Sequence, residues 1–299
     1  MIKIQHSAKK GRRLKQVTPL PYLLITPALV LFTLFTFYPF IKTIVFSFAL
    51  TDQNNKFSRW MGWDNWIRVL SKESFWDIVW VTLKMAAINL VFTFGIAMIF
   101  ALMATKKVRW SKLYQTLYAL PMAIASSPAA AIFIFIFRQK NGLLNSMLGG
   151  ADIAWTDQMP YAMFAVCAMT IWMHIGSSFI FLLVGFRNVP EELLESAMLD
   201  GAGPLSRIKN IILPIASPQI FFVLFLNILS SFKSFAQIKL LTGGGPLNQT
   251  KNLIYYIYEN AILKGRFETA CVQALFLFAL IFVVTRIQFV LEKKVVHYQ

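Results

Sequence analysis

The sequence predicts an all-α membrane protein with six transmembrane helices. Composition, the spacing of apolar segments and the distribution of basic residues all support this class. Hydrophobic residues make up 57% of the 299 positions and charged residues only 14%, and the mean hydropathy is +0.60. Soluble domains usually carry about 25% charged residues. The composition therefore favours a chain that lies largely in lipid.

Six apolar segments are long enough to cross a bilayer, since a spanning helix needs about 20 predominantly apolar residues. The predicted spans are 22–50, 78–104, 113–137, 161–185, 215–232 and 270–291. The first is long for one span, which predicts that it tilts or begins at the interface. Prolines within or beside the spans predict kinks supported by neighbouring helices. These prolines are Pro27, Pro39, Pro121, Pro128 and Pro218.

The distribution of Lys and Arg predicts that both chain ends face the cytoplasm. Segments 1–20, 105–112, 186–213 and 292–299 together carry 15 basic residues over 64 positions, whereas the alternate loops carry 11 over 87. The sequence thus predicts a membrane domain, 21–291, between two cytoplasmic tails. The basic N-terminal tail is expected to anchor the chain at an anionic leaflet, and its following apolar stretch is too long for a cleaved signal peptide.

Several function classes are disfavoured by composition. The net charge of +16 does not indicate nucleic-acid binding, because the basic residues cluster at the ends of apolar segments. Cys167 and Cys271 both fall inside apolar runs, without disulfide or metal spacing, and are predicted to be small buried hydrophobes. No carboxylate pair, metal cluster or nucleophile–base arrangement is visible. The sequence therefore predicts neither an enzyme nor a bound metal.

The loop between the fourth and fifth spans, 186–213, is predicted to begin with a short amphipathic helix. Asn188 is expected to be its N-cap, and Glu191 and Glu192 place negative charge at the positive end of the helix dipole. Apolar residues share one face of this helix by their spacing. They are Leu193, Leu194, Ala197 and Met198.

A glycine break is predicted to divide this loop into two helices. Gly201 is expected to end the first helix, because glycine adopts the left-handed conformation at little cost. Residues 204–211 are expected to form the second helix, and Pro214 to open the next span. One explanation is a surface loop that simply folds into two helices, and the other is a docking segment for a soluble partner.

The same loop resembles the cytoplasmic signature of the integral-membrane subunits of ABC importers. That signature is Glu-Ala-Ala, three residues, Gly, nine residues and Ile-x-Leu-Pro. The matching residues, with every spacing intact, are Glu195, Ser196, Ala197, Gly201, Ile211, Leu213 and Pro214. Ser196 replaces the middle alanine, which is a small-for-small change. In the family this loop forms the coupling helix that enters a cleft of the ATPase subunit, so the resemblance implies the same role here.

Further motifs resemble the MalF/UgpA-like carbohydrate-uptake subfamily of these permeases. They are 21–24 with Pro27, 114–116 with Pro121, 141–145 and 241–246. The chain length, 255–258 and the terminal Tyr-Gln look closer to glycerol-3-phosphate permeases than to the longer maltose permeases. The resemblance implies the type I ABC importer permease fold in a bacterial inner membrane. It also implies a sugar or polyol phosphate as cargo, with sn-glycerol-3-phosphate or an oligosaccharide expected.

The resemblance also implies partners. These are a second homologous permease, two ATPase subunits and an extracytoplasmic substrate-binding protein. ATP and Mg would be used by the ATPase, and this chain would bind no cofactor. The alternative is an ion-coupled secondary transporter, which would predict an internal repeat and midplane charges. Neither is visible in the sequence.

The fifth span carries a predicted stripe of polar residues at positions i, i+3, i+4 and i+7. The stripe consists of Asn227, Ser230, Ser231 and Ser234. Such groups in a membrane face protein or water. They either bond neighbouring helices or contact a polyol. The placement of Asn227, Ser231 and Ser234 resembles that of substrate-contacting residues in maltose permeases. Asn89 and Trp172 are further pathway candidates, while His174 is more typical of a hydrogen-bonded packing residue.

Overall fold

In the computed structural model, the described residues are 20–52, 54–105 and 111–295. The predictions for residues 1–19 and 296–299 lie outside them. The long helices are α1 (Leu20–Phe32) continued by α2 (Tyr38–Ser47), α4 (Glu73–Ala104), α8 (Tyr161–Arg187), α12 (Ser217–Phe232) and α15 (Phe267–Val295). Shorter helices are α3 (Asp64–Leu70), α5 (Ser111–Ala119), α6 (Ser126–Phe137), α7 (Leu143–Met147), α9 (Glu191–Leu199), α10 (Pro204–Arg207), α11 (Leu213–Ile215), α13 (Ala236–Leu241) and α14 (Leu253–Tyr258). Two strands, β1 (Ala49–Thr51) and β2 (Phe57–Trp60), complete the fold.

Four helices of the described chain are long and apolar enough to cross a membrane. They are Tyr22–Ser47, Glu73–Ala104, Tyr161–Arg187 and Phe267–Lys293. Two bent helix pairs raise the number to as many as six if each pair is one span. The pairs are Ser111–Ala123 with Ser126–Phe137, and Pro204–Ile215 with Ser217–Phe232. The predicted spans thus correspond to four long helices and two bent pairs.

The fold is mostly helical as predicted, but the first predicted span ends earlier than expected and a short β-hairpin follows it. The helix ends at Ser47, and Leu50 lies in β1, which pairs antiparallel with β2. The carboxylate of Asp52 accepts hydrogen bonds from the backbone N–H groups of Asn54 (2.9 Å) and Lys56 (2.8 Å). Such Asp-stabilised turns reverse the chain and compete with helix. The hairpin therefore forms where a continuous span was expected to 50.

The predicted third span, 113–137, consists of two helices and not of one kinked helix. Its two helices meet at 103°. Pro121 lies in a short 3₁₀ turn, Leu120–Ala123, and the backbone of Ile124 and Ala125 is extended. Proline cannot donate a backbone hydrogen bond and so weakens the helix around it. The kink predicted here is thus a sharp bend.

The core lies where α4 packs along α8 and α12. Small residues on α4, Ala97 and Ala101, are fully buried against Phe179 and Leu182 of α8. Small side chains at helix contacts allow close approach of the backbones, which is typical of membrane bundles. The two cysteines are buried and free, as predicted. By contrast, α1 and α2 expose most of their apolar side chains.

Candidate coupling segment and polar pathway

The coupling segment, residues 191–215, begins with α9 and turns sharply at Gly201. Gly201 has φ +80°. Its N–H donates to the carbonyl of Met198 (3.1 Å), and the N–H of Ala202 donates to the carbonyl of Ala197 (2.8 Å). This pair of bonds is the Schellman arrangement, in which a left-handed glycine satisfies the last carbonyls of a helix. The predicted glycine-ended helix is confirmed.

The predicted N-cap is wrong. Pro190, with ψ 129°, occupies the N-cap position of α9, and no side chain caps that end. Asn188 instead ends α8, where its N–H donates to the carbonyl of Val184 (3.1 Å). Proline disfavours helical backbone in the residue before it. The helix therefore begins one residue after Pro190, at Glu191.

The apolar face of α9 is only partly covered by the rest of the chain. Leu194 packs in a cluster with Phe186 and Ile212, and Ala197 is half-buried. Four other apolar side chains of the segment are exposed. The exposed fractions are 45% for Leu193, 57% for Met198, 91% for Leu199 and 79% for Leu205. We call these four residues the docking patch, because exposed apolar side chains near one another in the chain are candidates for an interaction site.

The second half of the segment differs from the prediction. Helical structure continues from Pro204 to Ile215, so Pro214 lies inside it and does not open the next span. The chain then bends by 74° at Ala216, and α12 begins at Ser217. Pro218 has no N–H to donate to the carbonyl four residues earlier. The helix therefore breaks between Pro214 and Pro218, two residues later than expected.

The predicted coupling residues all lie on this one segment. Glu195 and Ser196 are exposed on α9, while Ile211 and Leu213 are half-buried toward the body of the protein. A cavity of about 370 Å³ separates the segment from the ends of α4 and α8. Within it, Nε of Arg207 is buried without a hydrogen-bond partner. The segment thus contacts the body of the protein through Leu194 and Ile212, and a cavity lies beside these contacts.

Asn227 joins α12 to α8. Its Nδ2 donates to Oγ of Ser178 (2.9 Å) and to the carbonyl of Val223 (2.9 Å). Its Oδ1 lies 3.2 Å from the same Ser178 hydroxyl. Asn227 is 3% exposed, so this is a buried bond between helices of the kind that polar residues form in membrane bundles.

The polar stripe is shorter than predicted. α12 ends at Phe232, so Ser234 lies in the connection to α13 and not on the helix. Its carbonyl accepts a hydrogen bond from Nδ2 of Asn252 (2.7 Å), whose Oδ1 accepts from the N–H of Tyr255 at the start of α14 (3.0 Å). This long-range contact holds Ser234 away from the helical path. The stripe on α12 is therefore Asn227, Ser230 and the buried Ser231.

The structure adds a second polar wall that the sequence interpretation missed. A small cavity of about 110 Å³ between α8 and α12 is lined by His174, Ser177 and Ser178 on one side. Asn227 and Ser230 line it on the other. His174, Ser177 and Ser178 are spaced i, i+3 and i+4 on an otherwise apolar helix, and this spacing could have identified them in the sequence as one polar face. Only the packing of the two helices shows that the two stripes face each other.

Two other pathway candidates do not line this cavity. Trp172 is half-buried and packs on the ring of Phe133 in α6, with ring centroids 5.5 Å apart. Asn89 is 2% exposed within α4, and neither its Nδ2 nor its Oδ1 has a hydrogen-bond partner. Among the described residues, no group of three or more His, Cys, Asp or Glu side chains could hold a metal ion.

The chain belongs to the family of binding-protein-dependent transport system inner membrane components, whose sequence model matches residues 94–297. It is thus an inner-membrane ABC transporter permease, as its motifs indicate. Over 283 residues it is 32% identical to the sn-glycerol-3-phosphate transport system permease protein UgpA of Salmonella typhimurium and of Shigella flexneri. These alignments cover 94% of this chain and 96% of each relative.

Solved structures show the same fold. A bacterial ABC transporter that imports the acidic polysaccharide alginate matches with a TM-score of 0.83 and 22% identity, over 93% of this chain and 96% of that one. A bacterial alginate transporter in complex with an alginate pentasaccharide-bound periplasmic protein matches with a TM-score of 0.80 and 23% identity, over 92% and 94%. The chain therefore has the type I ABC permease fold.

Proposed function

We propose that this chain is one of two homologous permease subunits in an importer for a sugar or polyol phosphate. The expected cargo is sn-glycerol-3-phosphate, named in the UgpA relatives, or an oligosaccharide, such as the alginate pentasaccharide bound to the periplasmic protein of a similar transporter. In this proposal each bent helix pair is one span, giving six spans and two cytoplasmic ends. The permease domain comprises 21–291, with a coupling loop at 186–213 and tails at 1–20 and 292–299.

The docking patch is the observation that carries the proposal. Three of its four residues lie on α9, beyond the end of α8 and before the second bent helix pair begins at Pro204, and Leu199 is almost completely exposed. Burying such side chains stabilises an interface by about 1.5–3 kcal/mol each. A separate ATPase subunit is the proposed partner. Its contacts would include the signature residues Glu195, Ser196 and Ala197, while Gly201 shapes the turn.

The contacts between the coupling segment and the long helices explain how a movement of the ATPase would be transmitted to those helices. Leu194 and Ile212 pack in the same apolar cluster as Ala97 and Ala104 of α4 and Phe179 of α8. Ile211, Leu213 and Pro214 continue the segment directly toward α12. ATP and Mg would bind the ATPase, and closure of that subunit would move the segment and these helices together. Such rigid-body coupling is a common form of switching.

The α8–α12 cavity is the proposed polyol-contacting wall of the pathway. Ser230 lines it, and its hydroxyl donates to the carbonyl of Asn227 (3.0 Å). The hydroxyl and amide groups that form hydrogen bonds within the bundle can instead form hydrogen bonds with substrate hydroxyls. Ser231, Ser234, Asn89 and Trp172 remain proposed pathway residues, with a sibling permease supplying the opposite half. An extracytoplasmic binding protein would deliver the substrate, as a periplasmic protein accompanies the alginate transporter.

Gly201→Asp tests the coupling role. A side chain at φ +80° is strained, but no heavy atom lies within 4 Å of the position where Cβ would stand. We therefore expect a folded permease that loses ATPase co-purification and uptake. Gly149→Asp is the matched control, because Gly149 has φ +75° and equally open surroundings in another loop. Normal ATPase association and full uptake by Gly201→Asp would overturn the coupling assignment.

The alternative, an ion-coupled secondary transporter, is not favoured, because the matched family consists of binding-protein-dependent systems. Uptake by the purified permease alone in proteoliposomes, driven by an ion gradient without ATP, would support that alternative. The relatives are transport permeases, which is consistent with a role in transport and not in catalysis.

A further inference from the structure

Two neighbouring cavities form one groove between α4 and α8. The first, of about 440 Å³, is lined by polar and charged side chains from the start of α4 and from residues 247–249. The second, of about 310 Å³, is lined by apolar side chains and Cys167. Met163 of α8 lines both cavities. The groove therefore has one polar end and one apolar end.

The polar end lies at the level of lipid headgroups. α4 has 32 residues, which is about 48 Å of helix and exceeds the ~30 Å hydrocarbon core of a bilayer. Trp80 is 62% exposed, and Nζ of Lys84 lies 5.9 Å from its ring centroid. Trp and Lys are typical anchors at the membrane interface. Ile88 and Phe92, which line the apolar cavity, follow one and two turns deeper.

The apolar end is shaped for a hydrocarbon chain. Phe92 and Phe164 form its walls, and each is 54% exposed. Met163 and Cys167 form a buried floor. An apolar cavity does not hold water, and the exposed walls show that this one opens on the surface of the bundle. An acyl chain is the apolar ligand that a membrane supplies at this depth.

The polar end contains two opposite charges. Asp77 and Lys84 both line it, about 10.5 Å apart along the helix axis, and neither forms an ion pair within the described residues. Lysine is a phosphate ligand, and a carboxylate accepts hydrogen bonds from an ammonium group. An anionic headgroup without an amine would satisfy Lys84 but would repel Asp77. The cavity thus complements a zwitterionic headgroup with N–H donors.

We propose that this groove binds one phosphatidylethanolamine molecule. Its phosphate contacts Lys84, its ammonium donates to Asp77, and one acyl chain lies between Phe92 and Phe164. Asn248 and Gln249, at the rim of the polar cavity, supply further hydrogen-bonding groups. Placement in the outer leaflet rests on the orientation in the proposed function, whereas the binding itself does not.

Lipid retention tests the proposal. The full-length permease is purified in mild detergent from membranes of known lipid composition, and retained lipids are measured by mass spectrometry. We expect phosphatidylethanolamine to be enriched over phosphatidylglycerol relative to the starting membrane. Combining Asp77→Asn with Lys84→Gln should reduce this enrichment at least about fivefold, because it removes both charge-assisted contacts. Asp152→Asn with Lys140→Gln, which alters exposed charges outside the groove, should preserve it.

A separate variant tests the contact with the acyl chain. Ala168→Trp places a large side chain in the apolar cavity and should reduce retained lipid. Val91→Trp, at a position on α4 that is 64% exposed and does not line the cavity, should not. Thermal unfolding of delipidated protein provides a second measurement, in which phosphatidylethanolamine raises the Tm of the wild type more than phosphatidylcholine or phosphatidylglycerol does. Equal effects of the three lipids, or unchanged enrichment in the charge variant, would overturn the proposal.

Discussion

The two connections that flank α12 differ in how they are held. The coupling segment before α12 leaves its docking patch exposed, and Gly201 turns in open space. The connection after α12, residues 233–266, is held by side-chain contacts; we call it the outer connection, after its place in the proposed orientation. It contains three left-handed glycines. Gly243 and Gly265 have open surroundings, but Gly244 is enclosed, since a Cβ there would lie 3.1–3.2 Å from side-chain atoms of Lys251 and Tyr255. The same backbone conformation thus serves an exposed turn in one case and a packed turn in the other.

Hydrogen bonds explain why the outer connection is held in place. Asn252 bonds to the carbonyl of Ser234 and caps α14, and the N–H of Leu253 donates to Oγ1 of Thr82 on α4 (2.8 Å). Glu259 pairs with Lys251 and with Lys264 (2.9 Å). We therefore expect movement of the coupling segment to tilt α12 about the end that residues 233–266 hold, because the docking patch before α12 is exposed to a partner.

The largest expected effect comes from removing a link in the outer connection. Asn252→Ala loses a helix cap and leaves the buried Ser234 carbonyl without its side-chain donor. Each loss costs about 1–2 kcal/mol, so thermal unfolding in detergent should show a clear fall in Tm. Asn210→Ala is the control, because Asn210 makes its 3.0 Å bond to Ser206 on the exposed coupling segment. An equal fall in Tm for Asn252→Ala and Asn210→Ala would show that the two connections do not differ in how firmly they are held.

A substitution in the docking patch should weaken partner binding and leave stability unchanged, which is the opposite of the result expected for Asn252→Ala. Met198→Asp places a charge on the patch, and we expect unchanged Tm but at least about tenfold weaker ATPase association, equivalent to about 1.4 kcal/mol. Met147→Asp is the control, since Met147 is 73% exposed at α7. Quantitative pull-down with the ATPase measures both. Undiminished association of Met198→Asp would show that the patch does not contact the ATPase.

The smallest effect concerns the ion pairs of the outer connection. Desolvation raises the pKa of Glu259, but hydrogen bonds and charges from Lys251 and Lys264 outweigh it and leave the pKa below its usual 4.5. A depressed folded-state pKa stabilises the protein above the unfolded pKa, and this contribution is lost as pH falls through the folded value. Tm should therefore decline with acidification below about pH 4.5, less so in Glu259→Gln. Parallel pH profiles for the two proteins would contradict this role.

Part of the fold and of the candidate site could be predicted from residues close together in the sequence. The apolar segments, the buried cysteines and the glycine-ended helix before Gly201 all follow from composition and from one residue's conformational freedom. The signature spacing from Glu195 to Pro214 also identified the family correctly. These features depend on residues close together in the chain, so no knowledge of packing was needed.

Tertiary contacts decided the rest. Asn252, eighteen residues away, holds Ser234 off the helix, and the approach of α8 to α12 brings Ser178 to Asn227. The groove between α4 and α8 likewise joins residues from separate helices. The sequence by itself thus determined what kind of membrane protein this is. Which polar groups meet and which apolar groups remain exposed were decided by packing, because those properties depend on neighbours distant in the chain.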